Sequence, residues 1–327
     1  MAGALRMGAR EWALVVCLYI LWGGAFFLAA VAVKEIAPFT LAFLRMALAA
    51  LALGVTAWLM GYRLPHGRGV WAGFAFIGAV GTAMPFSLIY WGQTEITGGL
   101  ASILNATTPF FTIVAAHFFT RDERFTWRRF LGVGAGFAGV AVIIGPSAFG
   151  IGDYSLLAEA AIVAAALCYA IVIVFAKRFR DLPPLIIACG QLSFGALTIL
   201  PLALIFDDSM ARPSPSLAAI AAVIGIALLC TALAFILYFE ILRVAGATNV
   251  ALVTLLVPVS AILLGGIILG ESLEARQLAG LALIALGLMI IDGRLLKLVG
   301  RQARRASKAH DASGLASPPM LNEPQEP

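Results

Sequence analysis

Charged side chains are scarce in this chain of 327 residues, in which Asp, Glu, Lys and Arg together make up only 12%. Hydrophobic residues reach 62%, and the mean hydropathy is +1.00. A soluble domain carries about twice this share of charged residues, so the composition excludes one. Strand-like alternation of apolar and polar residues is also absent, which argues against a membrane β-barrel. The sequence therefore predicts an all-α membrane protein.

Cysteine and catalytic motifs are lacking as well. The 4 Cys residues lie within predicted helices without CxxC spacing, which predicts buried thiols rather than a metal site or a disulfide framework. A Walker A lysine, H-E-x-x-H and G-x-S-x-G do not occur, so ATP hydrolysis and other hydrolytic chemistry have no support. We predict that the chain is not an enzyme and that it uses no metal and no cofactor.

Long apolar runs dominate what is present. A helix needs about 20 mainly apolar residues to cross a bilayer. Ten such segments lie near residues 12–33, 37–60, 70–92, 96–119, 128–146, 154–176, 183–206, 216–239, 246–269 and 276–296. Most of the 22 Lys and Arg residues lie in alternate loops and near the two termini, which predicts that both termini are cytoplasmic. The net charge of +5 then faces anionic lipid, and nucleic-acid binding is not predicted.

The two halves of the chain repeat one another. The matched pairs are Trp22 with Cys168, Pro38 with Pro184, Arg45 with Gln191, Thr82 with Thr231, Pro109 with Pro258, Glu123 with Glu271, Gly132 with Gly280 and Gly139 with Gly287. Five helices per half is an odd number, so the second half must cross the membrane in the opposite direction, which predicts two five-helix inverted repeats. We expect the first repeat at 12–146 (helices 1–5), the second at 154–296 (helices 6–10) and a disordered cytoplasmic tail at 300–327.

The paired prolines predict breaks in the middle of two spans. A proline lacks its own N–H donor and frees the carbonyl four residues earlier, here on Asn105 and Thr254. In lipid the freed groups must be satisfied by protein or by a wet cavity. The breaks at Pro109 and Pro258 therefore indicate a substrate site that includes Asn105, Thr108 and Thr254. The alternative is a packing kink that a neighbouring helix satisfies.

Arg45 is the one obligate charge well inside a predicted span. Because a charge in the bilayer is costly, we expect it to face the protein interior or water. It could bind a substrate carboxylate, and it could equally extend outward or brace helix-end carbonyls. Gln191, its counterpart, is predicted to line the cavity without a charge. The candidates for aromatic walls are Trp22, Tyr90 and Tyr169, although aromatic residues near helix ends more often anchor a helix at the interface.

Three motifs recur in order along the chain. They are Trp22-Gly23-Gly24 followed by Phe26, Pro38 with Arg45, and Glu123 or Glu271 before a Gly-x6-Gly helix. Together they resemble the EamA-type drug/metabolite transporters over about residues 12–294. The resemblance implies a ten-helix inverted-repeat carrier of small metabolites, often an amino-acid or metabolite exporter of a bacterial inner membrane. The second half departs from the pattern, since Cys168-Tyr169 stands where a Trp is common and Gln191 replaces the arginine.

We predict a secondary or facilitative transporter that exports small metabolites such as amino acids by alternating access. Its partners are then a small-molecule substrate and the lipid bilayer, and Glu159 is the candidate proton carrier. The alternatives are a non-transporting membrane sensor or scaffold and an intramembrane enzyme. A sensor would more often carry a sizeable soluble domain, and no nucleophile or metal cluster assembles at one depth. Substrate identity, direction, proton coupling and the formation of a homodimer stay open.

Overall fold

The computed structural model describes residues 9–119, 126–144, 154–179, 181–207, 213–245 and 247–292, which form helices and no strand. The helices are α1 (Ala9–Ala32), α2 (Pro38–Leu59), α3 (Arg68–Gly92), α4 (Gly98–Phe119), α5 (Trp127–Ile144), α6 (Tyr154–Ala176), α7 (Pro184–Phe206), α8 (217–245), α9 (Ala247–Leu264) and α10 (Ala275–Asp292). A π-helical segment, Gly265–Leu269, extends α9. The tail predicted at 300–327 lies outside the described residues.

The helices are suited to a bilayer. Within the described residues, eight helices, α1 to α8, are long and apolar enough to cross a membrane by length and composition. The apolar stretches of α9 and α10, Leu256–Leu269 and Ala275–Ile291, are shorter. Large apolar side chains point outward along the bundle, and Leu204, Leu217 and Ile267 are 75–81% exposed. Such a surface is stable in lipid rather than in water, so the chain is a multi-pass helical membrane protein.

Two helices contain a π-helical segment between α-helical parts. The segment in α3 is Ala79–Ala83, and the segment in α8 is Gly225–Leu233. Each includes one member of a repeated pair, Thr82 or Thr231, and both threonines are only 1% exposed. Segments of π-helix are rare and occur frequently at functional sites. The repeat in the sequence therefore corresponds to a repeated local irregularity in the structure.

Helix α4 is interrupted just before Pro109. Its first part ends at Asn105, and the helix resumes at Thr108, after two intervening residues. Thr108 Oγ1 donates to the Asn105 carbonyl at 2.8 Å, and Thr107 Oγ1 donates to the Leu104 carbonyl at 2.6 Å. Thr108 thus satisfies the Asn105 carbonyl, which the sequence analysis predicted to be free for a ligand.

Helix α9 continues through Pro258, where the sequence predicted a second break. The three residues directly before this proline are Leu255, Leu256 and Val257, whose side chains have no donor for the carbonyls of an opened turn. Close packing against α1 holds the helix as well. Ser260 Oγ donates to the Tyr19 carbonyl at 2.8 Å, and a Cβ on Gly23 would overlap Ser260 Oγ. The Thr254 side chain lies outside the described part of the chain.

Helices α5 and α10 pack through glycines that pair crosswise. A Cβ on Gly132 would lie 2.7 Å from the Gly287 carbonyl oxygen, and a Cβ on Gly139 would lie 2.7 Å from the Gly280 carbonyl oxygen. In the sequence repeat Gly132 matches Gly280 and Gly139 matches Gly287. Gly132 therefore packs on the counterpart of Gly139, and Gly139 packs on the counterpart of Gly132. A contact of this kind is self-complementary about a two-fold axis. Only glycine allows it, because any side chain would meet backbone atoms.

Candidate functional site

Arg45 lies in α2 with its guanidinium between α3 and α8. Nε donates to Thr231 Oγ1 on α8 at 2.9 Å, and Nη1 donates to the Tyr90 hydroxyl on α3 at 2.9 Å. Cζ lies 3.8 Å from the centroid of the Phe86 ring, which is within range of a cation–π interaction. No carboxylate among the described residues pairs with this guanidinium. Arg45 is therefore held inside the bundle by two hydroxyls and an aromatic face.

Aromatic rings gather around this guanidinium. Phe86 packs beside Tyr90, with centroids 6.4 Å apart, and edge-on to Tyr169 of α6, with centroids 6.5 Å apart. Trp22 of α1 instead packs on Tyr238 of α8, with centroids 5.7 Å apart. The structure thus brings Tyr90 and Tyr169 to the arginine and places Trp22 in a separate aromatic pair.

Gln191 repeats the arrangement in the other half. It lies in α7, and its Nε2 donates to the Gly81 carbonyl, inside the π-helical segment of α3, at 3.3 Å. The backbone carbonyl oxygen of Gln191 lies 3.4 Å from Thr82 Oγ1. In each half, a polar residue of the second helix contacts the π-helical segment in the third helix of the other half. Because glutamine replaces arginine, only one of the two contacts carries a charge.

Asn105 lies at the break in α4. Its side-chain Oδ1 is buried and has no hydrogen-bond partner among the described residues. Buried polar atoms in proteins nearly always have a partner, so an unpaired acceptor beside a helix break indicates a place where a water or a ligand donates. Thr108 does not offer the same opportunity, since its hydroxyl already donates to a backbone carbonyl.

Glu159 belongs to a different group of charges. It is 2% exposed near the start of α6 and interacts electrostatically with Arg276 on α10. Arg276 Nη1 also donates to the carbonyls of Ile143 and Ile144, at the end of α5, at 3.1 and 3.0 Å. Glu159 is thus part of a polar cluster that joins the ends of α5, α6 and α10.

One end of the bundle carries further polar contacts between the halves, and we call it the acidic end after Glu35, Asp207 and Glu271. Glu35 accepts from the backbone N–H of Ser216 at 2.6 Å and from its hydroxyl at 2.7 Å, at the start of α8. Asp207, after α7, accepts from the N–H of Thr40 at 2.5 Å, in the first turn of α2. Carboxylates are stabilising at helix N-termini, so both contacts hold a helix of one half to the other half.

Glu271 makes the third contact of the acidic end. Its two carboxylate oxygens accept from the backbone N–H groups of Gly98 and Gly99, at the start of α4, at 3.3 and 3.2 Å. Gly265 makes room for this approach, since a Cβ there would overlap Glu271 Oε2. Three carboxylates therefore join the two halves at the acidic end, each of them on a helix N-terminus of the other half.

Two residues at this site were not predicted as site residues. Thr231 was matched with Thr82 in the repeat, and a polar residue that recurs in the apolar third helix of each half could have marked it as one. Phe86 carries no such signal, since it is one of 21 Phe residues in an apolar chain. Its importance depends on the position of the Arg45 guanidinium.

The chain matches the EamA-like transporter family twice, at residues 10–145 and 156–292. The probable terminal-alkyne amino-acid exporter of Streptantibioticus cattleyicolor is 29% identical over 89% of this chain and 96% of its own length. The uncharacterized inner membrane transporter YedA of Escherichia coli is 25% identical over 84% of this chain and 88% of its own length. A crystal structure at 19% identity shares the fold, with a TM-score of 0.63 over 88% of this chain and 99% of that one. With a family domain in each half and relatives named as transporters, the chain belongs to the EamA-like transporter family.

Proposed function

We propose that the protein is a secondary or facilitative transporter that exports small polar metabolites, such as amino acids or related compounds, by alternating access. The observation that carries the proposal is the duplicated contact in which Arg45 reaches the π-helical segment of α8 and Gln191 reaches that of α3. Two halves that meet through matched residues have two equivalent ways of packing, which gives one central site two access states. The relative named as an amino-acid exporter supports the substrate class.

The proposal includes the topology. Ten spans form two five-helix inverted repeats, at 12–146 and 154–296, with both termini in the cytoplasm of a bacterial inner membrane. The crosswise glycine contact between α5 and α10 supports this arrangement, because a two-fold axis in the membrane plane turns one half upside down. In this topology the acidic end faces outward and the basic excess of the chain faces the cytoplasm.

In this proposal the contacts of the acidic end close the outward side, and alternating access requires them to break. Acid should favour that opening. The Ser216 N–H and hydroxyl, in that order, lower the pKa of Glu35 because both donate to its charged form. A group whose pKa is lower in the closed state stabilises that state at neutral pH. The contribution is lost as the pH falls through the lowered pKa.

The substrate site of this proposal lies between the two halves. Arg45 and Gln191 contribute one polar group from each half, and the site is completed by the predicted residues Trp22, Tyr90, Asn105, Thr108, Tyr169 and Thr254. Pro109 and Pro258 lie in α4 and α9, the two helices that flank the site in this proposal. Glu159 remains the candidate proton carrier.

Counterflow of labelled L-amino acids in proteoliposomes, with and without a pH gradient, tests the proposal. We expect saturable flux from the wild-type protein and a loss of about tenfold in Asn105→Ala, since a hydrogen bond to a charged ligand group contributes about 1.5 kcal/mol. Thr198→Ala is the matched control, because this exposed threonine of α7 bonds to the Phe194 carbonyl of its own helix. A folded protein without flux for any compound would contradict transport and favour a sensor or scaffold.

A further inference from the structure

We propose that the ligand of the central site is a carboxylate and that Arg45 binds it. This inference rests on the proposed transport function and specifies its substrate class as small molecules with a free carboxylate, α-amino acids foremost. Three observations carry it: the missing counter-charge of Arg45, the orientation of its guanidinium, and the unpaired acceptor of Asn105 at the same depth.

The positive charge of Arg45 has no anionic partner in the described part of the chain. Its contacts are the hydroxyls of Tyr90 and Thr231 and the ring of Phe86. Ionised side chains within a membrane bundle are almost always paired or face a water-filled cavity, and they mark substrate pathways. Neutral hydroxyls orient a guanidinium but leave its charge uncompensated. An anionic ligand that binds reversibly would compensate this charge.

The donors of Arg45 are arranged for a planar anion. A guanidinium has five N–H groups, and only Nε and Nη1 have acceptors among the described residues. Nη2 is left to a ligand, and carboxylates bind a guanidinium through two parallel N–H···O bonds. Tyr90 and Thr231 fix the side chain from two helices, so its orientation is set before a ligand arrives. Because no second cation among the described residues contacts the groups around it, this guanidinium matches a carboxylate better than a phosphate dianion.

Asn105 supplies a complementary group at a matching depth. Arg45 lies seven residues into α2, and Asn105 lies seven residues into α4. Both helices start at the acidic end, so each residue lies about 10 Å along its helix axis. Asn105 Oδ1 is a buried acceptor without a donor among the described residues, and an ammonium group is a donor without an acceptor function. Asn105 therefore offers an ammonium group an acceptor at the depth where Arg45 offers a carboxylate its donors.

Thermal stabilisation of the full-length protein in detergent tests this assignment. Each proteinogenic L-amino acid is compared with its own α-carboxamide, which keeps the side chain and the ammonium group but has no carboxylate. We expect at least one amino acid to raise the melting temperature and its amide to bind at least tenfold more weakly. Arg45→Gln should abolish that preference, and Arg45→Lys should retain a weaker one. Arg68→Gln, at the exposed start of α3, is the matched control and should leave the preference unchanged.

Three results of the thermal-stabilisation measurement would overturn the inference. They are equal stabilisation of the wild-type protein by an acid and its amide, survival of the acid preference in Arg45→Gln, and stabilisation by no L-amino acid. The wild-type comparison needs no variant, so a variant that fails to fold does not remove the test. Flux without any preference for acids over amides would contradict this inference and leave transport standing. The absence of all flux would contradict transport itself.

Discussion

Gly139→Ala is expected to lower the melting temperature of the protein strongly. The new Cβ would lie 2.7 Å from the Gly280 carbonyl oxygen and 3.1 Å from the Ile284 backbone nitrogen. Backbone atoms cannot rotate out of the way, so α5 and α10 must separate along their whole contact. Overpacking in a well-packed core costs about 1–3 kcal/mol, and the rigid obstacle places this substitution near the upper value. Thermal unfolding of the purified protein in detergent measures the loss.

Gly134→Ala is the matched control in the same helix. No atom lies within 4 Å of a Cβ built at Gly134, so the substitution creates no clash. Alanine exceeds glycine in helix propensity by about 1 kcal/mol, and the control should be neutral or slightly stabilising. The same substitution is thus expected to lower the melting temperature at Gly139 and to leave it unchanged or raise it slightly at Gly134. Equal melting temperatures for the two variants would contradict the close packing of α5 on α10.

Glu271→Gln is expected to open the acidic end. Glutamine keeps the shape of the side chain and one acceptor oxygen, but it loses the charge and the second acceptor that meet Gly98 and Gly99. A charge-assisted contact at a helix N-terminus contributes about 1–2 kcal/mol. Its loss should shift the ratio of open to closed protein by about 5- to 30-fold.

Cys230 provides a native reporter for this opening. It is 3% exposed, within the π-helical segment of α8, and close enough to Arg45 to interact with it electrostatically. In protein whose other cysteines are replaced, a membrane-impermeant thiol reagent should label Cys230 faster in Glu271→Gln when added from the acidic end, and more slowly from the opposite face. Glu95→Gln is the control, since within the described part of the chain this exposed carboxylate of the same end bonds only to Thr94. Unchanged labelling in both variants would show that Glu271 does not close this end.

The membrane class could be predicted because it follows from composition, and the family was suggested by the resemblance of a few motifs. The offset between the halves also identified Arg45 and Gln191 as counterparts. What these residues contact could not be predicted, since Thr231 and Gly81 each lie in the other half of the chain. Such contacts depend on how two halves pack, and spacing along one chain carries no information about that packing.

The two prolines show the limit of local reasoning. Each removes the same backbone hydrogen bond, yet α4 is interrupted before Pro109 and α9 continues through Pro258. The difference lies in the preceding residues, because Thr107 and Thr108 carry hydroxyls that satisfy the carbonyls of an opened turn. The two residues directly before Pro258, Leu256 and Val257, are apolar. The neighbours of a proline therefore decide whether a helix in lipid can break.

The π-helical segment of α8 rotates the two ends of that helix relative to one another about the helix axis. A π turn takes in one residue more than an α turn, so the faces on either side of the segment are rotated by about 100° relative to an uninterrupted helix. Thr231 meets the Arg45 guanidinium only in this phase, since without the extra residue its hydroxyl would point more than a quarter of a turn away. The part of α8 near the acidic end packs mainly on α1, whereas the π-helical segment packs on both α1 and α2. A hydrophobic pattern averaged over the whole helix cannot show this change of face.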